Sequence, residues 1–238
     1  MRIFRTLTII LFVLSVPVAL VTTNIRFMAN EPRVYRYAID EFNAPATTGI
    51  DRDELIRAGG EIRAYFNNDA DTLAIEVTED GRETSLFNAR ETLHMKDVKN
   101  RFFWVSRANE FSLLYVLTFI VAMVLWSREV SQRTLAVLVA SGCVLCLALL
   151  GGVGAVGLAG FSSAWEDFHR LMFSNDFWLL NPATDHLIQI FPPDFWERIV
   201  FLVGLMIVAE AAFLILAAGL YLGASRHREE AQLEPEYA

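Results

Sequence analysis

The chain has 238 residues, 54% of them hydrophobic, with a formal net charge of -8 and a mean hydropathy of +0.37. This is too apolar for an ordinary soluble domain, and an acidic chain lacks the basic footprint that a nucleic-acid backbone needs. The two cysteines, Cys143 and Cys146, sit together inside an apolar run and read as packing residues, so neither a disulfide framework nor a metal site is expected.

The first apolar run spans about Leu7 to Phe27, behind Arg2 and Arg5. About 20 apolar residues cross a bilayer. The run is long and lacks a small-x-small cleavage site, so it reads as a retained transmembrane helix rather than a cleaved signal peptide. A hydrophilic insert, Met28 to Glu110, follows. Within it Arg33 to Asp40 (RVYRYAID) is rich in aromatic and β-branched residues and reads as a strand. Asp51 to Phe66 reads as a helix, with Asp51 and Glu54 at capping-box spacing. Thr72 to Thr78 alternates, with Leu73, Ile75 and Val77 on one face, and Asp80-Gly81 marks a hairpin turn before Arg82 to Phe87.

Leu86 to Lys99 reads LFNARETLHMKDVK. Asn88 and Glu91 have the spacing of a capping box that opens a helix. Along it Glu91, His94, Asp97 and Arg101 share one face, and Met95, Val98, Phe102 and Val105 another. An imidazole with carboxylates one turn away on either side suits a general base. The same pattern also fits a solvated charged face. Further apolar runs cover about Phe111 to Trp126, Thr134 to Phe161 and Ile199 to Leu222. A short turn, Ser127 to Arg133, carries Arg128 and Arg133. The third run has Gly151, Ala155 and Ala159 at four-residue intervals, a pattern that lets helices approach closely. Glu210, inside the last run, is a functional candidate or a protonated, hydrogen-bonded structural group.

Between the third and fourth runs, Ser162 to Arg198 carries Trp165, Trp178 and Trp196, which suits a membrane interface. His169 lies here, with Glu166 three residues and Trp165 four residues earlier. Asn181-Pro182 looks like the opening of a short helix to Ile190.

The expected fold is an α-helical polytopic membrane protein: four transmembrane helices and a small extracytoplasmic α+β domain inserted between the first and second. The expected divisions are 1–27, 28–110, 111–161, 162–198 and 199–238. Arginines near residue 2, in the 127–133 turn and after residue 222 place both termini in the cytoplasm. Both hydrophilic segments then face outward, and His94 and His169 can share one surface. No HExxH, GxSxG or phosphate loop is present, and two histidines are few for a zinc site. Acid/base chemistry at the membrane surface is the chemical reading. A non-enzymatic module that binds lipid or protein is the other.

Two stretches carry a resemblance. The first matches at Phe87, Asn88, Arg90, Glu91, His94, Met95, Asp97, Val98 and Lys99. The second matches at Phe168, His169, Phe173, Trp178, Leu180, Pro182, Thr184, Asp185, Leu187, Ile188, Phe191, Pro192, Phe195 and Trp196. Together they resemble the signature regions of the lipoprotein intramolecular transacylase (Lit) family. The resemblance implies transfer of the sn-2 acyl chain of a diacylated bacterial lipoprotein to the α-amino group of its own N-terminal cysteine. It implies His94 and His169 as catalytic residues, no cofactor or metal, and membrane lipids as surroundings. Arg90, Glu91, Asp97, Trp178 and Asp185 are the supporting or substrate-binding candidates. Among them Glu91, Asp97 or Asp185 would hold a histidine. Arg90 would either stabilise an oxyanion or pair with Glu91 or Asp97.

Overall fold

The computed structural model describes residues 2–79, 81–126 and 129–233. Asp80 of the expected hairpin turn, Ser127 and Arg128 of the expected cytoplasmic turn, and the acidic end of the tail lie outside the described residues. Among the described residues, four helices are long and apolar enough to cross a membrane: Ile3–Asn30, Ala89–Leu125, Gln132–Ala159 and Pro193–His227. Their outer side chains include Leu125, Leu158 and Phe213, each about 70% exposed or more. In water such surfaces would associate; in a bilayer they meet lipid.

The chain divides into two compact units. The first comprises Met1–Asn24, Arg107–Ala155 and Gly204–Ala238. It contains most of α1 (Arg2–Asn30), the apolar part of α5 (Ala89–Trp126), most of α6 (Glu129–Ala159) and most of α9 (Pro193–Leu233). Phe12 stacks on Phe119 with ring centroids 4.3 Å apart. Gly142 is where α6 closes on α1: a Cβ there would lie 2.6 Å from Val16 Cβ. The expected stripe of Gly151, Ala155 and Ala159 is exposed instead, and a Cβ on Gly151 would meet nothing within 4 Å. Cys143 and Cys146 are buried as packing residues. The fully buried Asn24 donates to Glu210 Oε2 at 2.8 Å and to Leu20 O at 3.0 Å, so Glu210 ties α9 to α1. Asn109 Nδ2 donates to Thr22 and Thr23 and ties α5 to the same helix. Interhelical hydrogen bonds of this kind contribute about 0.6–2 kcal/mol each in a membrane.

The second unit comprises Ile25–Ser106 and Val156–Val203. The segment expected as a strand, Arg33 to Asp40, is a helix, α2 (Pro32–Glu41). Glu31 caps it by accepting from Arg33 N, Pro32 sits at its first turn, and Tyr35, Ala38 and Ile39 are buried at i, i+3 and i+4. Capping and helical periodicity outweigh the strand preference of its residues. After the short α3 (Ala44–Thr48), α4 (Arg52–Tyr65) forms as expected, with Asp51 accepting from Asp53 N. The capping box with Glu54 does not form. Glu54 accepts from Thr78 N at 2.6 Å, and Arg57 donates to Glu76 O, so α4 covers the outer edge of β1 (Glu76–Glu79). β1 pairs antiparallel with β2 (Arg82–Ser85), with Val77 opposite Thr84, and Gly81 takes φ +76° between them. Leu73, Ile75 and Val77 are all buried, although only Val77 lies in a strand.

The Ser162–Arg198 segment is more helical than expected. α7 (Phe161–Met172) carries His169 and buries none of its own residues. The helix expected from Pro182 starts later, as α8 (His186–Ile190). Asp185 Oδ2 accepts from Asn181 N at 2.7 Å and folds 181–185 into a closed turn instead. α9 then begins at Pro193, where a missing N–H costs nothing.

Candidate active site

α5 runs unbroken from Ala89, and its apolar, membrane-crossing part begins only at Phe111, after Glu110. Its first turn holds the capping box expected from the sequence. Asn88 Oδ1 accepts from Arg90 N and Glu91 N, and Glu91 Oε2 accepts from Asn88 N at 2.8 Å. The box extends across the fold. Glu91 Oε1 accepts from Leu187 N at 2.6 Å, and Asn88 Nδ2 donates to Asp185 Oδ1 at 3.0 Å. Arg90 donates to Leu179 O, and His186 Nδ1 donates to Leu86 O at 2.7 Å. These bonds clamp the loop 179–187 onto the start of α5. Glu91 is 1% exposed, and burial raises its carboxyl above the usual range while the Leu187 and Asn88 amides pull it back down.

The clamp places His94, on the next turn of α5, opposite His169 of α7. The two rings lie 6.1 Å apart between centroids. Aromatic side chains surround them. Phe173 lies 5.2 Å from His94, and Trp178 lies 5.1 Å and Trp165 4.8 Å from His169. Trp165 also stacks on Phe168 and on Trp196. His169 Nδ1–H donates to Trp165 O at 2.7 Å, which fixes the tautomer and leaves the Nε2 lone pair available. Burial pushes His94 down to about 4, and the neighbouring His169 acts in the same direction while Asp97 opposes it. His169 is also held below the ordinary imidazole value by burial, with the Trp165 carbonyl opposing. Both rings are therefore biased towards the neutral form, and charge on His169 disfavours charge on His94.

The carboxylates near the histidines in sequence do not hold them. His94 Nδ1 is buried and makes no hydrogen bond among the described residues. Glu91 and Asp185 belong to the clamp, Asp97 accepts from Asn175, and Glu166 pairs with Arg170. Neither expected ion pair of Arg90 forms among the described residues. Helical spacing predicts a shared face but not which partner a carboxylate chooses, and here unpaired backbone amides of the loop take Glu91. Trp178 does stand at the site, against His169. Asn175 and the paired role of Trp165 and Phe173 were not foreseen. The only signal for Asn175 is its place in a Ser-Asn-Asp turn.

The sequence pattern of the lipoprotein intramolecular transacylase Lit matches residues 10–196. The chain belongs to the Lit family. A search of curated proteins finds no match. Among solved structures, the membrane-integral Lit of Bacillus cereus aligns at TM-score 0.78 with 17% identity, over 96% of this chain and all of the other. Two structures of that protein with single histidine substitutions, to arginine and to alanine, align at TM-score 0.72 and the same identity, over 94% of this chain and 94–95% of theirs. At that identity the likeness carries the fold. Membership in Lit and four apolar helices make this a multi-pass membrane protein of a transacylase family that acts on lipoproteins.

Proposed function

We propose that this chain is a membrane acyltransferase that moves the sn-2 acyl chain of a lipoprotein's diacylglyceryl group to the α-amino group of the same lipoprotein's N-terminal cysteine, with His94 and His169 as general acid and base. The observation that carries the reading is the convergence of two imidazoles, 6.1 Å apart between ring centroids, in an aromatic-lined site. The non-enzymatic binding module gives no reason for that convergence.

The neutral amine, the form that prevails above its free pKa of about 8, is the nucleophile, and it must lose one proton on becoming an amide. His169 Nε2 has the lone pair to take it as the nitrogen attacks the ester carbonyl. The tetrahedral intermediate collapses with cleavage of the sn-2 C–O bond, and the glycerol oxygen receives the proton. An amide and a free hydroxyl result, with no net gain or loss. His94, a few ångströms away, exchanges or returns the proton. A dry aromatic site strengthens each of these interactions. Nucleophile and ester belong to one substrate, so orientation supplies much of the acceleration, about 7–11 kcal/mol in favourable cases.

By the positive-inside rule both termini are cytoplasmic and the site faces outward, where mature lipoproteins reside. A synthetic diacylglyceryl-cysteine lipopeptide given to the purified protein should yield the N-acyl, monoacylglyceryl product. The same lipopeptide with a methylated, non-nucleophilic quaternary amine should be left intact. Release of free fatty acid from the blocked lipopeptide at the same rate would make the protein a hydrolase instead.

A further inference from the structure

We propose that Asp97 and Asn175 form a positioning pair that holds Phe173 and Trp178 against the two histidines, and that Asp97 does so through its hydrogen bond rather than its charge. Asp97 lies one turn after His94 on α5. Its Oδ2 accepts from Asn175 Nδ2 at 2.8 Å. The other end of the same amide, Asn175 Oδ1, accepts from Phe177 N at 3.1 Å. One side chain therefore links α5 to the backbone between Phe173 and Trp178. Phe173 lies against both imidazoles, 5.2 Å from His94 and 5.8 Å from His169, and Trp178 lies 5.1 Å from His169. Arg101, one turn beyond Asp97, places its guanidinium 6.0 Å from the Phe173 ring and supports the same stretch.

Geometry separates this role from a direct one on the imidazole. Asp97 makes no hydrogen bond to His94 among the described residues, whereas the bond to Asn175 is well formed. The titratable groups facing His94 are His169 from α7 and Asp97 from its own helix. Glu91, one turn before it, is committed to the clamp. Releasing Asn175 would loosen the stretch that carries both rings and admit water to the imidazoles.

The activity arm of the test rests on the acyl-transfer reading; a second arm does not. Asp97→Ala, Asp97→Asn and Asn175→Ala are compared with the unaltered protein in detergent micelles. Transfer on the diacylglyceryl lipopeptide gives kcat and KM. Nuclear magnetic resonance of 13C-labelled histidine gives the imidazole titrations without turnover. Asp97→Ala and Asn175→Ala should each lower kcat about 10–100-fold, the scale of a misplaced catalytic group, with KM little changed. Asn175→Ala, which keeps the Asp97 charge, should also shift at least one imidazole titration upward towards 6.5. Asp97→Asn keeps an oxygen for Asn175 and should retain most of the activity, with His94 moved only downward because the carboxylate charge that opposes burial is gone. If Asp97→Asn is as damaged as Asp97→Ala while Asn175→Ala behaves as the unaltered protein, Asp97 acts by charge and the proposal fails. It fails equally if the variants lose only thermal stability with titrations unmoved. Should the unaltered protein transfer no acyl chain, the acyl-transfer reading falls and the titration arm alone decides the positioning role. Asn175→Ala and Asp97→Asn keep the test decisive if Asp97→Ala does not fold.

Discussion

Two neighbouring regions of the second unit use polar residues in opposite ways. In the clamp, Asn88, Glu91 and Asp185 join elements almost a hundred positions apart, as in the bond from Leu187 N to Glu91 across 96 residues. The buried carboxylate oxygens there are answered by backbone or side-chain donors. In the histidine cage, one turn along α5, the polar atoms are few and the walls are Trp165, Phe173 and Trp178. The satisfied region fixes geometry; the aromatic region holds both imidazoles below their ordinary pKa. Charged residues in a signature motif are thus not always the reacting ones, and here they supply the frame.

The comparison predicts how each region breaks. His169→Ala should cost the largest effect in activity, at least about 100-fold, the range for a lost general acid or base, and should leave the melting temperature within a few degrees. Glu91→Ala should act on both properties. It leaves the Asn88 and Leu187 amides without their acceptor, at about 1–3 kcal/mol for each buried donor, and activity should fall together with stability because the loop is no longer held against α5. A Glu91→Ala protein with normal melting and no activity would move Glu91 from frame to chemistry.

The smallest effect is in pH. The folded-state pKa of His94 lies at about 4, below the unfolded value near 6.5. Between those values the unfolded chain binds more protons, so this group's contribution is fully present above 6.5 and is lost as pH falls towards 4. The loss should reach at most about 2 kcal/mol by pH 5. Thermal melts of the unaltered protein and of His94→Phe at pH 7 and pH 5 read it out. The variant should lose less melting temperature between the two; equal losses would mean that His94 titrates normally.

The four spans were legible because a bilayer imposes a length and an apolarity that composition alone reveals. The Asn88–Glu91 box was legible because both partners lie within one turn. The Asp51–Glu54 box has the same spacing yet fails, because Thr78 N offers Glu54 a partner from a distant strand. RVYRYAID misled because its aromatic and β-branched residues favour a strand on average, while Glu31 and Pro32 just before it start a helix. The stripe at Gly151 promised close packing that Gly142 provides, since a small-residue spacing does not say which stretch of a helix meets a neighbour. The expected topology let His94 and His169 share one surface, and the resemblance to Lit made them a catalytic pair; the carboxylates flanking each in sequence pointed to partners they do not make.

The central claim is that the two histidines move an acyl chain from glycerol to amine within one lipoprotein. Tandem mass spectrometry of a lipoprotein's N-terminal peptide tests it most directly, in cells lacking this protein and in cells supplied with it, with His94→Ala or with His169→Ala. Intact mass is uninformative because the transfer is internal, so fragmentation must locate the chain. The account predicts an N-acyl, monoacylglyceryl peptide only with the unaltered protein. A diacylglyceryl peptide with an unmodified amine in every case, from correctly inserted protein, would contradict it.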